Sequence, residues 1–121
     1  MRWYYVFLVG IGGCLGSMLR YAAYLAIKTT GFPFATFVVN LVGSFIIGVI
    51  WAIGLRHSLI KPEWRLFLAT GFCGGFTTFS AFTLENLNML KTGQYGYCIA
   101  YVAGSVVLGI FAAYLGFSVV R

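Results

Sequence analysis

Charged side chains are nearly missing from this sequence: they make up 8% of 121 residues, and only two of them, Glu63 and Glu85, are acidic. A soluble domain carries roughly 25% charged and roughly 45–50% apolar residues. This chain is 61% hydrophobic, which excludes a water-soluble fold. Histidine occurs once, as His57, with no nearby nucleophile or metal cluster, which argues against an enzyme. The three cysteines, Cys14, Cys73 and Cys98, are dispersed, odd in number and without a C-x-x-C pair. They suggest neither a disulfide framework nor a zinc site, and are read as small packing residues. The net charge of +6 comes from basic residues scattered singly along the chain, so no nucleic-acid partner is expected.

What the chain does contain is four apolar runs: Trp3 to Ile27, Phe34 to Leu55, Trp64 to Leu90 and Tyr95 to Val120. Each reaches the ~20 residues a helix needs to cross the hydrocarbon core. The first is too long for the apolar region of a signal peptide and is expected to remain as a span. Connections as short as Lys28 to Pro33 and Lys91 to Gln94 leave no room for a linker, so residues 1–121 are expected to form a single four-helix transmembrane domain in the lipid bilayer. Arg2, Arg56, Lys61, Arg65 and Arg121 fall on one side, against Lys28 and Lys91 on the other. The bias favours cytoplasmic termini in a plasma (inner) membrane, but five against two is weak enough to leave insertion in both orientations open. Two copies inserted in opposite senses would supply the inverted repeat that many transporters carry within one chain and this one lacks.

The segment 71–82, GFCGGFTTFSAF, places glycines and threonines inside the third span. A helix interrupted there frees backbone groups that cannot face hydrocarbon and must meet protein, water or an ion. Around it stand few polar residues, each costly at membrane depth. Asn40 can serve either as an interhelical hydrogen bond or as a donor to a passing anion. Phe79 and Phe82 are three apart on one helical face, beside Ser80, and aromatic ring edges favour anions without a formal charge. Tyr101, Ser105 and Gly109 draw a partly polar line down the last span, readable as a solvated track or as contacts to a neighbouring helix. Arg20 fits a vestibule charge or a snorkelling anchor. Glu85 fits a proton-coupling group, a pore-mouth charge or the partner of a basic residue. Four small-residue pairs, Gly12/Gly16, Ser44/Gly48, Ser105/Gly109 and Ala112/Gly116, have the spacing for close helix packing, within one subunit or between two.

Three patterns together resemble the Fluc/CrcB family of small fluoride channels. They are Gly12-Gly13-x-x-Gly16 leading to Leu19-Arg20-Tyr21, Val39-Asn40-x-x-Gly43-Ser44-Phe45-x-x-Gly48, and Gly71-Phe72-Cys73-Gly74-Gly75-x-Thr77-Thr78-Phe79-Ser80-x-Phe82. The resemblance covers essentially the whole chain, and the third pattern is the most specific. It implies an all-α integral membrane fold with four transmembrane helices, the third interrupted, assembled as an antiparallel dual-topology homodimer. Such a dimer carries two pores and exports fluoride passively from the cytoplasm, protecting the cell against it. The resemblance further implies that Asn40, Phe79 and Phe82 contact fluoride, that Ser80, Tyr101 and Ser105 continue the track, and that Arg20 lies near the entrance. It also implies a structural sodium ion at the dimer axis, held by the backbone carbonyls of Gly74 and Thr77. The chain departs from the family pattern at Ala81, where threonine is usual, and at Thr83, where serine is common. The rival reading is a proton-coupled exporter of the small multidrug-resistance type, whose acidic residue belongs in the first span; that span has none here. A non-transporting membrane subunit would leave Asn40 and the interruption unexplained.

Overall fold

Each apolar run forms a helix within two residues of its expected ends. The computed structural model describes residues 3–28, 31–57 and 60–120; Arg2 and Arg121, both used in the charge comparison, lie outside them. Helix α1 is Tyr4–Ala26 and α2 is Phe34–Arg56. The third span, Pro62–Lys91, is built in two parts: α3, residues 62–76, and α4, Phe79–Lys91. Helix α5 is Tyr95–Val119.

Local chemistry sets several of these ends. Pro62 opens α3 at a position where a missing N–H is harmless. Helix α4 stops where Gly93 takes φ 77°, a left-handed conformation that glycine reaches without a Cβ clash. There the N–H of Gln94 donates to the carbonyl of Met89 at 2.8 Å and that of Gly93 to Leu90 at 3.3 Å, the paired bonds of a Schellman turn. Thr78 caps the start of α4, its hydroxyl accepting from the N–H of Ala81 at 3.1 Å.

The spans pack chiefly as two pairs, α1 with α3 and α2 with α5. Glycines make both pairings possible. A methyl group added at Gly12 or Gly16 would land on the backbone of Phe67, Phe72 or Phe76, and one at Gly75 on Gly13. In the other pair, Gly48 lies against Ala113 and Phe117, and Gly116 against Phe45 and Val49. Three of the four small-residue pairs thus place a glycine against backbone of the same chain, while Gly109 lies near Ser44 Oγ. Hydrocarbon gives no hydrophobic drive between helices, so this close van der Waals approach is what holds them together.

The ends of the pairs are tied by side chains. Tyr5 donates to Glu63 Oε1 at 2.8 Å, joining the starts of α1 and α3. Arg56 donates to the carbonyl of Val120 and lies over the Phe117 ring, 4.6 Å from its centroid. Both interactions sit at the ends of spans, where amphipathic side chains reach water while covering apolar surface.

The interruption falls two to three residues beyond the paired glycines. Gly74 keeps helical angles (φ −62°, ψ −36°), whereas Thr77 (φ −88°, ψ 160°) and Thr78 (φ −150°, ψ 124°) are extended. Glycines 71 and 75 are held in the helix by backbone contact with α1, and the β-branched threonines favour extended backbone. Ahead of the break, Leu66–Cys73 winds in the wider π form, which is uncommon and found mostly at functional sites.

Candidate functional site

The two-residue break leaves α3 with unpaired carbonyls and α4 with unpaired N–H groups, and neither set can face lipid. Side chains from α1, α2 and the break itself meet part of that demand. Within α3, Cys73 O accepts from Thr77 N at 3.0 Å and from Thr77 Oγ1 at 2.8 Å. From α1, Arg20 Nε donates to Gly75 O at 3.1 Å. From α2, the Asn40 amide brackets Thr78: Oδ1 accepts from Thr78 N at 2.8 Å and Nδ2 donates to Thr78 O at 3.1 Å. Asn40 therefore pairs with the extended residue as a neighbouring strand would, and one of its two amide protons remains uncommitted. Gly43, one turn further along α2, allows this approach, since a Cβ there would strike Thr77 Cγ2.

A cleft of about 400 Å³ opens beside the break. Asn40, Gly43, Ser44, Cys73, Gly74, Thr77, Thr78 and Phe79 are among the residues lining it. Four expected site residues, Asn40, Gly74, Thr77 and Phe79, are thus brought to one place. Phe79 is 75% exposed at its rim, and Gly74 is exposed as well. Ser80, also exposed, has its hydroxyl 3.3 Å from that of Thr78.

The remaining expected residues lie deeper. Phe79 and Phe82 have ring centroids 5.7 Å apart, and Phe82 lies 4.8 Å from Tyr101. These three rings form a continuous line from the cleft into the chain. Tyr101 is fully buried, and its hydroxyl donates to Glu85 Oε1 at 2.7 Å. The other carboxylate oxygen, Oε2, accepts from Thr36 Oγ1 at 2.7 Å, and Thr36 pairs with the Tyr24 hydroxyl at 2.9 Å. With Glu85 ionised, Thr36 donates to it and Tyr24 donates to Thr36, so every hydroxyl proton of the cluster is used. One carboxylate thereby joins α1, α2, α4 and α5. Among the described residues its partners are hydroxyls, not a basic side chain. Ser105 lies one turn beyond Tyr101, and its Oγ is buried without a hydrogen-bond partner among the described residues.

Thr78, Thr36 and Tyr24 are the hydrogen-bonding positions around the break and Glu85 that reading the sequence did not single out. Thr36 precedes Asn40 by four residues and so shares its face of α2, a signal available from spacing alone. Tyr24 carries no comparable signal. Ala81, where the family pattern has threonine, is half-buried and contributes only its N–H to the cap, while the hydroxyl of Thr83 is turned back to Ser80 O at 2.9 Å.

Fold and site together define a multi-pass membrane protein with four spans, whose third helix is interrupted beside a cleft leading to a line of aromatic rings. Residues 7–117 match the family described as CrcB-like protein, Camphor Resistance (CrcB), and the chain belongs to that family. It is 55% identical over 111 residues to a protein of Chlorobium phaeobacteroides (strain DSM 266) named fluoride-specific ion channel FluC, covering 90% of this chain and 86% of that one. Proteins of the same name from Chlorobium chlorochromatii and Leptospira interrogans are 51% and 46% identical. The alignments cover 93% and 90% of this chain and 88% of each relative. In bacteria a multi-pass protein of this kind resides in the plasma membrane.

Proposed function

We propose that the chain is a passive, fluoride-selective channel, two copies of which assemble in opposite orientations around two pores. The observation that carries this reading is the break at Thr77–Thr78, with helix α3 ending and helix α4 beginning at one cleft. The carbonyl end of a helix carries about −0.5 charge and the N–H end about +0.5, so one break offers a cation and an anion two different faces. The relatives' shared name, fluoride-specific ion channel, supplies the identity of the anion.

Fluoride is small and tightly hydrated, so a selective path replaces its water with compact donors. The uncommitted Asn40 amide proton, the Ser80 hydroxyl and the ring edges of Phe79 and Phe82 provide them. Tyr101 contributes its ring, because its proton is committed to Glu85. Ser105, whose buried hydroxyl has no partner among the described residues, is the next donor along α5. Weak sites in series let the ion both enter and leave, and the mechanism needs no proton gradient.

A second copy of the chain is supported by the open cleft, since the Gly74 and Thr77 backbone that lines it carries carbonyls unsuited to lipid. The donor set at the break fits a sodium ion. Donors reach the carbonyls of Cys73, Gly75 and Thr78; among the described residues none reaches Gly74, Phe76 or Thr77, and of these three only Gly74 and Thr77 line the cleft. Two carbonyls from each of two copies would offer a hard cation the oxygen ligands it prefers. The sodium ion would supply positive charge that binds these carbonyl dipoles and fastens the dimer. A multidrug-type exporter is disfavoured by the absence of any acid from α1.

Purified protein in liposomes is expected to release fluoride but not chloride down its gradient, at equal internal and external pH. Chloride release at a comparable rate, or a strict requirement for a proton gradient, would refute the reading.

A further inference from the structure

We infer that Arg20 is a positioning residue of the cation site: it holds the Gly75 carbonyl and so fixes the last turn of α3, whose neighbours Gly74 and Thr77 supply the ligands. The inference rests on the sodium reading above. Its basis is the register between α1 and α3. Gly13 and Gly16 lie in backbone contact with Gly75 and Phe76, so the two helices are held at fixed separation at the end of α3. Arg20 is one turn beyond Gly16 on the same face of α1, and its half-buried side chain reaches along that seam to Gly75 O.

The donor matters as much as the acceptor. The bond comes from Nε, the nitrogen nearest the backbone, at 3.1 Å. The guanidinium therefore keeps four N–H groups for water or an anion at the entrance. One side chain thus does two separable things: it holds a carbonyl of the break through Nε and presents positive charge through its outer nitrogens. Around the break, Thr77, Arg20 and Asn40 engage the carbonyls of Cys73, Gly75 and Thr78; of the three left over, Gly74 and Thr77 belong to residues that line the cleft, whereas Phe76 does not line it. Without Arg20, the Gly75 carbonyl would be free to turn, and the last turn of α3 would lose the anchor that aims its neighbours.

Arg20→Gln and Arg20→Met separate the two roles. Glutamine places its amide N–H at the same number of bonds from the backbone as arginine Nε, but carries no charge; methionine has neither donor nor charge. The measurement is fluoride efflux from liposomes after exhaustive exchange into N-methylglucamine, titrated with sodium, alongside the dimer fraction by size exclusion. R20Q is expected to keep the half-saturating sodium concentration of the parent within about threefold, whereas R20M raises it about tenfold or more, the effect of losing one charge-assisted hydrogen bond. Flux at saturating sodium should fall in both, because both lose the entrance charge. Lys28→Gln, an exposed charge at the end of the same span, should change neither quantity. An unchanged sodium requirement in R20M, or an equal rise in R20Q and R20M, overturns the role of Arg20 while leaving the channel and the ion in place. Efflux by the parent protein that is indifferent to sodium refutes the sodium reading, and this inference with it. If R20M fails to assemble, R20K replaces it: lysine keeps the entrance charge but sets its donor one bond further out, so saturating flux should hold while the sodium requirement rises above that of R20Q, and an unchanged requirement overturns the role of Arg20.

Discussion

Replacing Asn40 by leucine tests the geometry of the break directly, because leucine nearly preserves side-chain volume while removing both hydrogen bonds to Thr78. The Thr78 N–H and C=O then lose their protein partners on an extended residue that has no helical partner to fall back on. An orphaned buried polar group costs about 1–3 kcal/mol. Thr78 is only half-buried and lines the cleft, so water can partly replace the amide, and the lower part of that range applies to each group. The expected loss for Asn40→Leu is therefore about 2–4 kcal/mol of unfolding free energy. It should be measured by titrating a mild detergent with a denaturing one, with fluoride efflux recorded on the same preparation. Efflux should fall together with stability, since Thr78 caps α4 and sets the start of the helix bearing Phe79, Ser80 and Phe82. The control is Asn88→Leu, an exposed asparagine on α4, which should stay within about 0.5 kcal/mol of the parent. An Asn40→Leu protein that matches the parent in both stability and efflux would refute the claim that this amide holds the break together.

Gly75→Ala should destabilise the protein by about 1–3 kcal/mol or prevent assembly, because the added methyl meets the Gly13 backbone, which cannot give way. Gly96→Ala, with open space around it inside α5, should be neutral or gain about 0.5–1 kcal/mol, and thermal unfolding followed by size exclusion separates the two. Tyr101→Phe removes a hydrogen bond to a carboxylate and is expected to cost about 1.5–3 kcal/mol in the same unfolding titration, while fluoride still passes because the ring remains. Abolished efflux at unchanged stability would instead assign the hydroxyl to the ion. Phe79→Ile and Phe82→Ile should each lower fluoride efflux about tenfold or more with the dimer intact, since the loss of ring edges leaves the fold's packing pairs untouched. Unchanged efflux in both would remove the aromatic line from the path.

Helix number, span limits and the presence of an interruption were legible because they depend on composition and local propensity, which a sequence carries openly. The position of the interruption was harder to read. Glycine pairs look like helix breakers, but Gly71 and Gly75 are used for contact with Gly12 and Gly13 on α1, and this contact keeps them helical. The break moved to the threonines, whose extended backbone was affordable only with Asn40 alongside, 38 residues away in sequence. Asn40 stands out in the sequence as a costly polar group, able to bond a neighbouring helix or a passing anion. Its bidentate pairing with one backbone residue could not be read from spacing. Glu85 likewise stood out as the one acid inside the spans, but its partners, Thr36 and Tyr101, are hydroxyls indistinguishable in sequence from many others.

The arrangement of these partners bears on whether α4 can move. Thr36 and Asn40 are one turn apart on α2; the first grips α4 through Glu85 and the second grips its start through Thr78. Tyr101 of α5 takes the opposite oxygen of the same carboxylate, and α5 is itself locked to α2 by backbone contact at Gly48 and Gly116. Tilting α4 against α2 would therefore break contacts at two levels at once. Alternating access requires one bundle to rock against another around a binding site. Here the helix carrying Phe79, Ser80 and Phe82 is tied at both its cap and its second turn to a helix pair with no slack between backbones. A path along that helix works with its walls in place, which suits a channel that conducts down a gradient and does not suit a carrier that must change shape in every cycle.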